Sequence, residues 1–292
     1  MNEVKRRFGD RRDATLIRKQ DSMHLIMPMI YPNRCDNEAF ISERIDLTNI
    51  DKYLEKRNAE NPEFKFTLFH LVVAAILKTI ILRPKLNRFI ANKNNYQRNT
   101  YSASFVIKKQ FSDSSEEGMA FVYATEDSTI DSLHEELYRQ IYREKNSSGA
   151  SNATSDTMDI LNKLPRWFVK FFIWLMRQLD RHGIVPQSII EADPYYASVI
   201  LSNLGSIKLR SGYHHLTNWG TTSIFVVVGE MKERIFRNEN GEEEYRNSVD
   251  LGLTIDERIA DGFYYSKSVK ILKYILEHPE CLERPFSEPV DI

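Results

Sequence analysis

Residues 248–262 read SVDLGLTIDERIADG, and they change character half-way along. The first part, 248–255, is rich in β-branched and apolar side chains, which suit a pleated, half-buried strand. At Asp256 this run gives way to D-E-R-I-A-D-G, and residues 263–277 follow as a helix that stops before Pro279. Working outward, 222–229 (TSIFVVVG) and 197–201 (ASVIL) read as two further strands. The polar run 237–244, with Asn240-Gly241 inside it, reads as a hairpin turn ahead of the last strand. The 197–201 strand runs straight into Ser202-Asn203-Leu204-Gly205.

The N-terminal half has the same mixture. Residues 40–47 (FISERIDL) alternate apolar and polar side chains as a strand does, and 47–57 read as a helix starting at Thr48 or Asn49. The apolar stretch 64–82 (FKFTLFHLVVAAILKTIIL) is too short to span a membrane; Thr67 caps it and Pro84 stops it, which predicts a core helix. His70, inside that helix, is expected to be a core histidine bonded to a neighbouring carbonyl. Strands are predicted at 88–90, 102–108 and 119–124, and an amphipathic helix at 128–145 through Ile130, Leu133, Leu137 and Ile141. The small polar residues of 146–157 (NSSGASNATSDT) read as a linker or mobile loop.

Next comes 164–183 (LPRWFVKFFIWLMRQLDRHG), with Pro165 at a helix start and Gly183 at a helix stop. Arg166, Lys170, Arg177 and Arg181 fall on one stripe, opposite a broad face of Trp167, Phe168, Phe171, Phe172, Trp174, Leu175 and Leu179. That face is expected to be covered by the core, a neighbouring subunit or lipid, the last making a peripheral membrane contact. The charges should face water.

Composition narrows the function classes. A chain of 292 residues with 42% hydrophobic side chains and two cysteines is neither disordered nor a disulfide scaffold. Forty basic against 41 acidic residues leave a charge of -1, which provides no field to gather nucleic-acid phosphates over the whole surface. Cys35 and Cys281 form no C-x-x-C pair and read as reduced packing residues, and the basic N-terminus lacks an apolar signal core, so a cytoplasmic location is expected. No spaced ligand set suggests a metal.

In their order along the chain, Ser202–Gly205, Val228-Gly229 and 256–262 resemble the catalytic domain of the 2-oxo acid dehydrogenase acyltransferases (dihydrolipoamide acyltransferases) and of chloramphenicol acetyltransferase. The long apolar helix followed by R-P-K-L-N at 83–87 is similar to the family's helix ending in H-P-x-L-N. The resemblance spans residues 15–285 except for an inserted loop and amphipathic helix at 146–192, with a basic arm at 1–14 and a tail at 286–292. It implies an α/β chloramphenicol acetyltransferase-like fold, a two-layer sandwich in which helices pack on a large mixed sheet. It also implies a homotrimer with active sites in channels between subunits, and a coenzyme A thioester as co-substrate. No lipoyl domain is expected ahead of position 15.

The family mechanism uses the histidine opening H-x-x-x-D-G as base, and a serine that donates to the oxyanion. Here Glu257 stands at the histidine position, Ser202 falls on the serine, and Asp261-Gly262 on the Asp-Gly that shapes the catalytic turn. A carboxylate is intrinsically a weaker base than imidazole. His214 and His215 fall in a stretch that borders the family's substrate channel, so either could supply the missing imidazole. The competing readings are structural: Glu257 paired with Arg258 or an N-terminal arginine, Asp261 shaping a turn, Ser202 bonded to backbone, and the histidines exposed on a loop. The resemblance thus implies an acyltransferase with a small-molecule or lipid acceptor; the alternative is a catalytically inactive trimeric binding or scaffold protein.

Overall fold

The computed structural model describes residues 6–108, 117–146, 163–238 and 240–291. Three short strands, β1 (Ala14–Leu16), β3 (Arg88–Ala91) and β4 (Asn94–Arg98), form a small sheet in the order β1-β4-β3. The main sheet contains β2 (Glu38–Asp46), β5 (Tyr101–Lys108), β6 (Glu117–Ala124), β7 (Val199–Asn203), β8 (Ile224–Val228), β9 (Lys232–Arg237) and β10 (Glu243–Asp256). Its order is β2-β10-β8-β7-β5-β6, with β9 folded back on the first half of β10. The β5-β7 and β7-β8 pairs are parallel and the others antiparallel, so the sheet is mixed.

The helices are α1 (Ser22–Ile30), α2 (Thr48–Arg57), α3 (Leu68–Leu82), α4 (Ile130–Asn146), α5 (Arg166–Arg181), α6 (Gln187–Ala192) and α7 (Gly262–Glu277). Of these, α2, α3, α4 and α7 cover one face of the main sheet and share a single apolar core with it, giving the expected two-layer sandwich. The strand period of two divides the side chains cleanly. Val199 and Leu201 of β7, Val226 and Val228 of β8, and Leu251 and Leu253 of β10 point into the helix-side core, while Ile200, Phe225 and Val227 face the other way.

Apolar all round, α3 is buried from His70 to Ile81, as such a helix must be. Lys78 is tolerated there because its ammonium donates to the carbonyls of Cys281 (3.0 Å) and Pro285 (2.9 Å). Thr67 caps the helix through His70 N–H. His70 itself differs from expectation: its Nδ1 accepts from the Thr67 backbone N–H (3.3 Å) instead of meeting a carbonyl. Burial holds His70 near pKa 3, with His134 adding a smaller effect in the same direction.

That shift has a sign. Between pH ~6.5 and ~3 the unfolded chain takes up a proton at His70 that the folded chain refuses, so stability is expected to fall as pH drops through this window. Urea melts between pH 7 and pH 4 measure it. His70→Leu should flatten the slope by up to ~1.4 kcal/mol per pH unit, and an unchanged slope would rule the histidine out as the cause.

The short elements β1, α1 and β4 carry no clear periodicity and were not expected, α1 even containing Pro28. Arg11 and Phe286, outside the 15–285 boundaries, are both buried. The 146–157 stretch, apart from Asn146 at the end of α4, lies outside the described residues. Both thiols are free, but Cys35 is exposed, not packed.

Helix α5 forms where expected, and Gly183 ends it with φ +66. Its apolar face is only partly covered. Met176 is buried and Phe172 and Leu179 pack beside it, whereas Trp167, Phe171 and Trp174 remain more than half exposed. No helix among the described residues is long and apolar enough to cross a membrane.

Candidate active site

The segment between β7 and β8 lies across the sheet face opposite the helices. It can approach because Gly252 has no side chain: a Cβ there would stand 1.9 Å from the Gly212 carbonyl oxygen. Ser211 Oγ donates to Val227 O (3.2 Å), and Tyr213 packs on Phe40 of β2. The next two residues are the histidine pair. His214 stacks on Phe225 at 4.2 Å and 11°, and His215 stacks on His214 at 4.5 Å.

His214 Nδ1 lies 2.9 Å from His215 O. A carbonyl only accepts, so a neutral His214 carries its proton on Nδ1 and leaves Nε2 as a lone-pair acceptor. Among the described residues no hydrogen bond orients the His215 ring, so the geometry favours His214 of the two as a base. Phe225 pairs with Ile200 in register, and Ser202 lies two residues beyond Ile200 on the same face. Ser202 is half-buried at the end of β7, and no hydrogen bond ties down its hydroxyl among the described residues, contrary to the backbone-bonded alternative. Asn203 shapes the following turn: its Oδ1 accepts from Ser206 N–H (3.2 Å), and Ser206 Oγ donates to Asn203 O (2.7 Å).

Glu257 lies elsewhere. Ser202 pairs with Val227 and Val227 with Gly252, while Asp256 at the end of β10 is four residues further on, about 14 Å along the strand. Because β7 and β10 run in opposite directions, their C-terminal ends fall at opposite ends of the sheet. One chain therefore brings Ser202 and His214 to a common face and keeps Glu257 away from them. The Glu257 carboxylate is exposed and forms no ion pair among the described residues, and only its backbone N–H is engaged, with Asn37 O (2.9 Å). The expected pairing with Arg258 is absent because Arg258 turns inward to Asp256, at 2.8 Å and 2.6 Å. Asp261 caps α7, its Oδ1 accepting from Tyr264 N–H (2.8 Å), and this bond holds its carboxyl below the usual range.

Sequence reasoning missed the support beneath this turn. Asp256 and Arg258 are buried, and Arg34 reaches the same carboxylate at 3.7 Å from a distant part of the chain. The i, i+2 pairing of Asp256 and Arg258 was the only local signal. Among the described residues, no group of three or more His, Cys, Asp or Glu side chains is placed to hold a metal.

No protein-family model and no curated protein matches the chain. Solved structures do. A probable dihydrolipoamide acetyltransferase from Listeria monocytogenes superposes with a TM-score of 0.58 at 15% identity, over 87% of this chain and 88% of that one. The truncated catalytic core of a 2-oxoacid dehydrogenase complex from Thermoplasma acidophilum gives 0.55 at 16% identity, over 91% and 99%. A chloramphenicol acetyltransferase gives 0.53 at 12%, over 90% and 99%. The chain has the chloramphenicol acetyltransferase fold. At these identities the likeness establishes architecture, and activity has to be argued from the residues.

Proposed function

We propose that the protein is an acyltransferase that moves an acyl group from a coenzyme A thioester to a small-molecule or lipid acceptor. The observation that carries this reading is His214, whose tautomer is fixed by His215 O and whose ring shares a sheet face with Ser202. An oriented base and a hydroxyl donor are the two groups that acyl transfer requires of a protein. In this scheme His214 Nε2 takes the proton from the acceptor's thiol or hydroxyl as that group attacks the thioester carbonyl. Ser202 Oγ donates to the oxygen that gains charge. The intermediate collapses, the C–S bond breaks, and the imidazolium returns its proton to the departing thiolate.

A homotrimer with the site between copies is part of the proposal. Glu257 is too far from Ser202 to meet it within one chain, so a contact between the two requires a neighbouring copy. Sedimentation at micromolar concentration is expected to give about 103 kDa, three times 34.2 kDa. A species near 34 kDa would remove the interfacial channel. The function is tested by free-thiol release from acetyl-CoA and longer acyl-CoAs over a panel of thiol, amine and hydroxyl acceptors. If none is turned over, the noncatalytic scaffold reading takes its place.

A further inference from the structure

A cleft of about 480 Å³ opens between α5, the turn joining β3 to β4, and the loop around Trp219. Its volume lies within the range of small-molecule sites. Its charge is one-sided. Lys93, Arg177 and Arg181 stand at its exposed edge, and none forms an ion pair among the described residues. Arg34 and Arg258 line it from below, sharing the single carboxylate of Asp256. Asp180, the one carboxylate among the lining residues, is already bonded by Arg11 (2.8 Å) and the Tyr196 hydroxyl (3.1 Å).

The protein as a whole is almost neutral, so this concentration of cations is local. Burial depresses the Arg34 pKa from its ordinary value against the opposing pull of Asp256, and among the described residues Arg34 Nε has no hydrogen-bond partner, its nearest carboxylate oxygen being that of Asp256 at 3.7 Å. Two guanidiniums and an ammonium converging on one space suit a phosphate better than a single carboxylate. Trp174 and Trp219 add flat apolar wall.

We propose that this cleft binds a phosphate ester, held by Arg177, Arg181 and Lys93, with its organic part against Trp174 or Trp219. The cleft shares neither Ser202 nor His214 with the proposed acyl-transfer site, so loss of phosphate binding and loss of acyl transfer are separable results. The ester could be a soluble metabolite or a lipid headgroup, and the shared chemistry is the phosphate.

Calorimetric titration of the full chain with phenyl phosphate tests the cleft, and flotation with phosphatidylcholine vesicles containing phosphatidic acid tests the lipid source. Arg177→Ala and Arg181→Ala are each expected to weaken phenyl phosphate binding by about 10-fold or more, as loss of a charge-assisted bond does. Arg166→Ala with Lys170→Ala, on the same helical stripe but outside the cleft, should change it less than about twofold. Vesicle binding that follows the same pattern and is displaced by phenyl phosphate assigns a lipid headgroup; phenyl phosphate binding without flotation assigns a soluble ester. Absence of both kinds of binding, or equal sensitivity to the Arg166/Lys170 pair, overturns the proposal.

Discussion

His214→Gln is expected to lower acyl-CoA turnover by about 100- to 10,000-fold, the usual consequence of removing a general base. Ser202→Ala should cost about 100- to 1,000-fold through the oxyanion. His215→Ala and Glu257→Gln should each cost less than about tenfold, because among the described residues neither side chain has a hydrogen bond that orients it as a base. The opposite ranking, with Glu257→Gln nearly inactive, would transfer the base to the carboxylate and to a neighbouring subunit. Mixed oligomers separate these cases independently. Ser202 and His214 belong to one chain, so mixing the Ser202→Ala and His214→Gln proteins restores no complete site. If Glu257 from a neighbour were the base, a random 1:1 mixture of Ser202→Ala with Glu257→Gln would recover about one quarter of wild-type turnover. Thiol release by the mixtures is therefore a direct reading of which chain supplies the proton acceptor.

The difference between Glu257 and His214 shows where the sequence was informative. Elements marked by local sequence signals were legible: α3 by its apolar run between Thr67 and Pro84, the strand ending at Asp256 by its β-branched and apolar side chains, and α5 by its two faces with a proline start and glycine stop. The motif order led to the fold. What could not be read was anything set by contacts distant in sequence. Phe225 under His214 fixes where that ring sits, and only the folded register shows that Ser202 shares its face while Glu257 does not. The aromatic face of α5 was legible as a face, but which part of it meets the core depends on Val185 and Tyr196. The same holds for Arg34, whose charge becomes meaningful only beside Asp256.

Asp256→Asn is expected to be strongly destabilising at the end of β10, beneath the cationic cleft. Its carboxylate is fully buried and accepts from Arg258 Nε (2.8 Å), Arg258 Nη2 (2.6 Å) and Arg258 N–H (3.2 Å), with Arg34 Nε at 3.7 Å. Neutralising it leaves two buried guanidiniums without a counter-charge, a loss of about 3–5 kcal/mol when one partner of a buried pair is removed. In a chain of this size that corresponds to a melting-temperature decrease on the order of 10 °C. The exposed pair Arg44–Asp250 is the internal control: Arg44→Ala should cost under about 1 kcal/mol, because water already screens it. If desolvated charge is the cause, adding Arg258→Met to Asp256→Asn should recover part of the loss, since one of the two stranded cations is then gone. If the double variant is no more stable than Asp256→Asn alone, the loss comes from the turn that Asp256 caps through Arg258 N–H, and the buried charges are bystanders.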